Sequence, residues 1–152
     1  MENLLISACL LGVECKYSGG SNALPEETIE KLRTRYRLIP VCPETAGGLP
    51  TPRDPSERLG ERVVSCRGAD VTAQFKKGAE AALTLARRYG CTTALMKEHS
   101  PSCGSGLIYD GSFDGSFSGK LVKGDGCAAE LLKAAGVSVV GENVTELLTM
   151  PE

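Results

Sequence analysis

One short stretch, residues 98–106 with the sequence EHSPSCGSG, concentrates groups that can do chemistry. It contains a carboxylate, the only histidine of the chain, a serine on each side of a proline, and the thiol of Cys103. The apolar run TTALM comes just before it, so the stretch lies where a strand gives way to a loop. A thiol in such a loop is a candidate metal ligand or nucleophile.

Two further thiols occupy comparable positions. Cys9 ends the apolar run LLISAC, and Cys42 ends the run RLIPVC. If these runs are parallel strands, their carboxyl ends lie at the sheet edge where such folds bind ligands. The thiols of Cys9, Cys42 and Cys103 therefore predict a shared metal or cluster site, with Cys15 in the first loop as a rival ligand. The alternative is that each is a small buried apolar residue, because free cysteine is among the most buried residue types.

The remaining cysteines are placed differently. The chain has seven cysteines, an odd number, with no C-x-x-C pair. Without an export signal, this argues against a disulfide framework, a zinc ribbon or a thioredoxin-type motif. Cys66 falls in a predicted hairpin, Cys91 precedes a strand at the opposite sheet edge, and Cys127 starts a helix. We therefore expect these three thiols to lie away from the site.

Polar residues near the thiols indicate what such a centre could do. Glu44 follows Cys42 by two positions; it could act as a general acid or base beside a metal, or merely cap a turn. Arg53 could grip an anion or a carbonyl-rich ring, or form a fold-fixing ion pair with Glu57. His99 could carry a proton, or be a polar residue at the rim of a cleft.

Three other features have open interpretations. Ser100 and Ser102 could donate hydrogen bonds to a ligand or satisfy the loop backbone. The tandem DGSF repeat that follows favours either a hairpin flap or a plain surface loop. The GDG sequence before the helix at 127 could direct backbone N–H groups towards an anion, although no dinucleotide fingerprint or Walker motif accompanies it.

Strands and helices alternate along the chain, which predicts an α/β, single-domain, three-layer sandwich over residues 1–152 with a mainly parallel, Rossmann-like sheet. The strands are apolar throughout, as expected when helices cover both sheet faces. The predicted elements are strands at 4–9, 37–42, 92–97 and 137–141, helices at 25–36, 70–90 and 127–136, a hairpin at 62–71 turning at Arg67 and Gly68, and a last helix beginning near Asn143.

Composition restricts the class of protein. Hydrophobic residues make up 41% and charged residues 24% of the 152, which is typical of a globular protein. The net charge of −2 includes no cationic stripe, which argues against general nucleic-acid binding. The longest apolar stretch, LLISACLLGV, is too short to span a membrane, and MENLLIS lacks a basic signal region. The expected compartment is the cytoplasm.

Six motifs occur in order along the sequence: ISACLLG, CPETAGGLPTPR, DVTAQFKKGA, KEHSPSCG, IYDGSF and GDGCAAELL. Together they resemble the DUF523 family across nearly the whole chain. The resemblance implies a thiouracil desulfidase, which removes sulfur without net redox change and holds a [4Fe-4S] cluster by three cysteines. It further implies Cys9, Cys42 and Cys103 as ligands, with Glu44 and Ser100 as catalytic residues. KYSGG stands where the family often has RYDG, which leaves the substrate open.

The implied reaction converts a thiolated pyrimidine base or nucleoside to its oxo form and releases hydrogen sulfide. The fourth iron of the cluster, free of protein ligands, could bind the substrate sulfur. Arg53, Ser102 and His99 are the candidate substrate-binding residues. Two other hypotheses remain: a non-catalytic iron–sulfur or thiol sensor or cluster carrier, and a zinc hydrolase with three thiolate ligands.

Overall fold

A computed structural model describes residues 1–109 and 121–142. The parallel sheet has the order β2-β1-β5-β8 and consists of β1 (Glu2–Ser7), β2 (Tyr36–Val41), β5 (Thr93–Leu95) and β8 (Ser138–Val140). Two antiparallel pairs lie outside it: β3 (Ser56–Leu59) with β4 (Arg62–Ser65), and β6 (Leu107–Tyr109) with β7 (Leu121–Lys123). The helices are α1 (Glu26–Arg35), α2 (Pro43–Ala46), α3 (Thr72–Arg88), α4 (Cys127–Ala134) and a 3-10 helix at Ala8–Leu11. None of the helices within the described ranges is long and apolar enough to cross a bilayer.

Helices cover both faces of the sheet, which confirms the predicted three-layer α/β architecture. Along β1, Leu4 and Ile6 belong to the apolar cluster that contains Leu32 of α1. Leu5 belongs instead to the cluster formed with α3 and α4, which includes Leu132. Successive side chains of a strand point to opposite faces, so a strand buried on both sides has to be apolar at every position.

Helix α3 buries the face that its sequence predicts. Five side chains spaced along that face are buried: Phe75, Ala79, Ala82, Leu83 and Ala86. The carboxylate of Asp70 accepts a hydrogen bond of 2.9 Å from the Thr72 N–H, so Asp70 satisfies one of the free donors at the helix start.

The predicted strand at 4–9 is too long at its carboxyl end. β1 stops at Ser7, and Cys9 lies in the 3-10 helix that follows. Likewise, β2 ends at Val41, and Cys42 is the residue that precedes the first turn of α2. Both thiols therefore lie just beyond the sheet edge, on backbone that has already turned away from the strand direction.

A hairpin that was not predicted lies just before the predicted one at 62–71 and overlaps it. Strands β3 and β4 pair in antiparallel register and turn at Gly60 and Glu61. The predicted turn at Arg67 and Gly68 is a second one, closed by a bridge between Val64 and Asp70. The polar sequence SERLGER gave no strong strand signal, which explains why β3 was not predicted.

Two predictions lie outside the described residues: the DGSF repeat and the helix beginning near Asn143. The strands on either side of the repeat, β6 and β7, form an antiparallel pair, as the base of a hairpin would.

Two glycines allow α2 to press directly on α3. A Cβ added to Gly78 of α3 would lie 1.8 Å from the carbonyl oxygen of Pro43, and one added to Gly47 would lie 1.9 Å from that of Gln74. Real Cβ atoms do not approach backbone so closely. This contact holds the segment that carries Cys42 and Glu44 against the helical layer.

We predict that Gly78→Ala destabilises the protein by about 1–3 kcal/mol, because the added methyl group must push α2 away from α3. In an exposed helix the same change would stabilise by about 1 kcal/mol. The measurement is urea unfolding followed by circular dichroism. Lys77→Ala, on the exposed face of α3, is the matched control and should change stability by less than about 0.5 kcal/mol. A more stable Gly78→Ala protein would contradict the close contact.

Asp125 connects three segments near the start of α4. Its carboxylate accepts hydrogen bonds from the Gly106 N–H at 2.9 Å and from Lys133 Nζ at 2.8 Å, and its carbonyl accepts one from Arg58 at 2.6 Å. Folding lowers the pKa of the Asp125 carboxyl. Burial is the largest single influence and acts to raise this pKa, but the hydrogen bonds from Lys133 and Gly106 together outweigh burial.

We predict that Asp125→Asn lowers the free energy of unfolding at pH 7 but has a smaller effect in acid. A carboxyl whose pKa is lowered by folding stabilises the native state above its unfolded pKa of about 4 and loses that contribution as the pH falls through the folded value. The measurement is urea unfolding of both proteins at pH 7 and below pH 3. An equal difference at both pH values would show that ionisation of Asp125 does not contribute.

Candidate active site

A cavity of about 660 Å³ lies at the carboxyl edge of the sheet. Its walls come from the segments after β1, β2 and β5, together with parts of the β3–β4 hairpin and Tyr109 of β6. Five of the seven cysteines line it: Cys9, Cys15, Cys42, Cys66 and Cys103. This is the edge at which the sequence predicts the site. The strand order changes direction here, because the chain continues from β1 to β2 on one side and from β5 to β8 on the other.

The three predicted ligands reach the cavity from three separate segments. Cys9 lies on the 3-10 helix after β1, Cys42 precedes α2, and Cys103 lies in the turn after β5. Burial raises the pKa of the Cys9 thiol and raises that of Cys103 to about 12, because a thiolate is poorly solvated at these positions. The structure thus brings the three thiols to one cavity; their role as ligands remains a prediction.

Cys15 lies beside Cys42. The Cys42 thiol is 3.8 Å from the Cys15 carbonyl oxygen. Burial and then the neighbouring Cys42 raise the pKa of the Cys15 thiol to about 12. Cys15 therefore lies next to the predicted ligand Cys42, and the geometry assigns it no function of its own.

Of the three cysteines expected to lie elsewhere, Cys66 is an exception. It is exposed, but it lines the cavity from the β3–β4 side, because the hairpin folds over the sheet edge. Cys91 is buried with the cluster of α3 and α4, and Cys127 is half-buried at the start of α4, as predicted.

Glu44 is held from two sides. One carboxylate oxygen accepts a hydrogen bond of 3.1 Å from Arg53 Nε, in an ion pair whose side chains are only 16% and 6% exposed. The other accepts one of 2.9 Å from the Ser102 hydroxyl. The partner of Arg53 in this ion pair is thus Glu44, where the sequence suggested Glu57.

All three guanidinium nitrogens of Arg53 donate hydrogen bonds within the protein. Its other N–H groups donate to the carbonyl oxygens of Pro50 and Cys15, at 3.2 and 2.9 Å, and to the hydroxyl of Thr51 at 3.1 Å. These bonds tie the loop after β1 to the segment after α2. Arg53 therefore holds Glu44 in place, and its predicted role in substrate binding stays a prediction.

The turn 100–103 is organised by the Ser100 hydroxyl. Its oxygen accepts hydrogen bonds from the N–H groups of Ser102 and Cys103, both at 3.1 Å, and lies 2.9 Å from the Ser102 hydroxyl oxygen. Ser100 therefore satisfies the loop backbone, one of its two expected roles, and it also lines the cavity, while hydrogen bonding to a ligand stays a prediction.

Helix α4 begins directly on this turn. The N–H of Cys127 donates to the Pro101 carbonyl at 2.9 Å, and those of Ala128 and Ala129 donate to the Ser102 carbonyl at 2.9 and 3.1 Å. The Gly126 N–H is also used, by the Gly104 carbonyl. The anion site considered for the GDG sequence is therefore not available, because the chain itself occupies these donors.

His99 lines the cavity in a strained conformation. Its φ of 64° is in the left-handed region, and its ring meets that of Tyr109 edge to face with centroids 6.1 Å apart. Sequence reasoning identified His99 but missed Tyr109, which lies beyond the motif on a separate strand. It also missed Lys97, a cavity residue that forms an ion pair with Glu142 and directly follows a buried strand.

Comparisons with known proteins agree with this geometry. The model of the 2-thiouracil desulfurase family matches residues 4–144. The solved structure of a [4Fe-4S]-dependent thiouracil desulfidase, TudS, superposes with a TM-score of 0.89 at 45% identity, covering 97% of this chain and 95% of that one. The protein called YbbK of Bacillus subtilis (strain 168), described as uncharacterized, is 41% identical over 150 residues, or 92% of this chain and 95% of its own. The chain belongs to the 2-thiouracil desulfurase family.

Proposed function

We propose that this protein, as a single domain over residues 1–152, is an iron–sulfur-dependent desulfidase of a small thiolated pyrimidine such as 2-thiouracil. The overall reaction exchanges the ring sulfur for the oxygen of water: a C–O bond forms, the C–S bond breaks, and sulfur leaves as hydrogen sulfide. Carbon keeps its oxidation state, so no electron donor or acceptor is required. The observation that carries the proposal is the placement of Glu44 against the Cys103 loop, within a cavity lined by thiols.

The donor set fits a [4Fe-4S] cluster held by Cys9, Cys42 and Cys103. Thiolates are the usual ligands of such clusters. Each ligand of a cuboidal cluster binds a different iron atom, so the three sulfurs have to surround a volume rather than converge on a point. Burial of these thiols is no obstacle, because a bound metal replaces the thiol proton.

A single zinc ion places a different demand on the ligands, since its three sulfurs would all lie about 2.3 Å from one point. Among residues 1–109 and 121–142, no group of three or more His, Cys, Asp or Glu side chains is close enough to share one ion. The iron–sulfur dependence of the similar solved structure supports the cluster over the zinc hydrolase.

With three protein ligands, the cluster supplies one iron at which a substrate sulfur can bind and the C–S bond can be polarised. The chain then has to place the pyrimidine carbon beside a water molecule. Glu44 borders the cavity with both carboxylate oxygens fixed, so it is positioned to accept a proton from that water as it attacks the ring. Ser100, the second catalytic residue that the resemblance implies, also lines the cavity.

His99 and Tyr109 provide flat surfaces for the pyrimidine. Their edge-to-face pairing fixes both rings at the cavity wall. Aromatic groups of this kind orient a planar ring at little cost in conformational freedom. The substrate-binding role proposed for His99 is consistent with this position.

The first prediction concerns the ligands. Protein purified without oxygen should contain about four irons per chain. Cys9→Ser, Cys42→Ser and Cys103→Ser should each lose the iron and the visible absorption, while Cys91→Ser and Cys66→Ser keep both. The measurement is iron and sulfide analysis beside the visible spectrum. Iron retained in Cys42→Ser but lost in Cys15→Ser would make Cys15 the third ligand.

The second prediction separates an enzyme from a sensor or cluster carrier. Glu44→Gln keeps the size and most hydrogen bonds of the side chain but removes its ability to accept a proton. We expect the iron content to be unchanged and sulfide release from 2-thiouracil to fall by about 10²–10⁴-fold, the usual contribution of a positioned acid or base. Equal turnover would remove Glu44 from the mechanism. A wild-type protein with intact cluster and no turnover of any thiopyrimidine would contradict the proposed function.

A further inference from the structure

Ser102 is, with Ser7, one of the two most buried polar residues that line the cavity. Only 2% of its surface is exposed. Its hydroxyl lies between the two groups proposed for catalysis, 2.9 Å from a carboxylate oxygen of Glu44 and 2.9 Å from the hydroxyl oxygen of Ser100. Sequence reasoning made Ser102 a substrate-binding residue, but its burial and partners indicate a different role.

The direction of these hydrogen bonds follows from counting protons. The Ser100 oxygen has two lone pairs, and both accept backbone N–H groups, from Ser102 and Cys103. Ser100 can therefore only donate to Ser102. An ionised Glu44 can only accept, so the single hydroxyl proton of Ser102 is directed to Glu44. The chain runs in one direction, from Ser100 through Ser102 to Glu44.

The other groups near Ser102 and Glu44 leave the direction of these hydrogen bonds unchanged. The Cys103 sulfur is 3.6 Å from the Ser102 hydroxyl, a longer and weaker contact than the one to Glu44. On the far side of the carboxylate, Arg53 fixes the other oxygen and stabilises the negative charge that Ser102 donates to. The buried ion pair thus anchors one end of the chain.

We propose that Ser102 is a positioning residue that joins Glu44 and Ser100 into one unit, and that it does not bind the substrate. The inference rests on the proposed function and extends it to a residue outside the reacting groups. Ser102 fixes one oxygen of Glu44, and it fixes the rotation of the Ser100 hydroxyl by accepting its proton. Without Ser102, both groups remain at the cavity but lose their common orientation.

The test is a double-mutant cycle with Ser102→Ala and Glu44→Gln. We expect Ser102→Ala to lower kcat for 2-thiouracil by about 10–100-fold and to leave the KM, the iron content and the affinity for the product uracil within about twofold. In the Glu44→Gln background, Ser102→Ala should lower kcat by less than about threefold more, because the group it positions has already lost its function.

Ser65→Ala is the matched control. Ser65 is a buried serine of β4 whose hydroxyl accepts a backbone hydrogen bond from Ala69, so the change removes an equivalent group outside the chain of hydrogen bonds. It should leave kcat and KM unchanged. Full, multiplicative effects of Ser102→Ala in both backgrounds would overturn the proposal. So would a raised KM and weakened uracil binding in Ser102→Ala, which would make Ser102 a substrate ligand.

A second arm of the experiment needs no turnover. If Ser102 and Glu44 are coupled, the unfolding equilibrium constants of the two single variants should not simply multiply, and the double variant should be at least about fivefold more stable than the product predicts. Multiplicative constants would overturn the coupling. Sulfide release by the wild-type protein reports separately on the proposed function, so the two failures are distinguishable.

Discussion

The hydrogen bonds between the start of α4 and the turn that follows β5 fix the most important part of the site. A helix leaves its first N–H groups without partners inside the helix. In this protein the carbonyl oxygens of Pro101 and Ser102 accept them. Gly126 makes the approach possible, since a Cβ there would lie 2.5 Å from the carbonyl carbon of Ser102. The turn that carries Ser100, Ser102 and Cys103 is thus also the cap of α4.

A second close contact serves the other wall. The glycine contact between α2 and α3 sets the position of Glu44, and the Ser102–Glu44 hydrogen bond joins the two walls. Each wall is fixed by backbone atoms of a helix rather than by flexible side chains. Arg53 completes the arrangement by neutralising the carboxylate that this rigidity holds in a nearly buried place.

Prediction from the sequence was most accurate for features that depend on a single physical rule. Apolar runs identified the four sheet strands, and the rule that parallel strands present their carboxyl ends at one edge placed Cys9, Cys42 and Cys103 together. The proximity of Glu44 to this edge followed from its two-residue distance from Cys42. The assignment of these residues as ligands and catalytic groups came from the family resemblance and stays a prediction.

The features that were mispredicted depend on a choice between equivalent partners or on local structure that hydrophobicity does not mark. Arg53 had carboxylates available at both Glu44 and Glu57, and no pattern in the chain distinguishes them. Cys66 reaches the cavity only because β3 and β4 fold over the sheet edge, and β3 has a polar sequence typical of loops. The end of β1 was misplaced because the apolar run continues unbroken into a 3-10 helix, so hydrophobicity alone does not mark the change in backbone.

The capping of α4 by the turn at 100–103 also has a consequence for biosynthesis. The chain leaves the ribosome from its N-terminus, so Cys9 and Cys42 are available long before the turn at 100–103. That turn obtains its final backbone partners only when residues 127–129 have emerged and become helical. If Cys103 is a cluster ligand, as proposed, the cluster would therefore be inserted only after residues 127–129 have emerged.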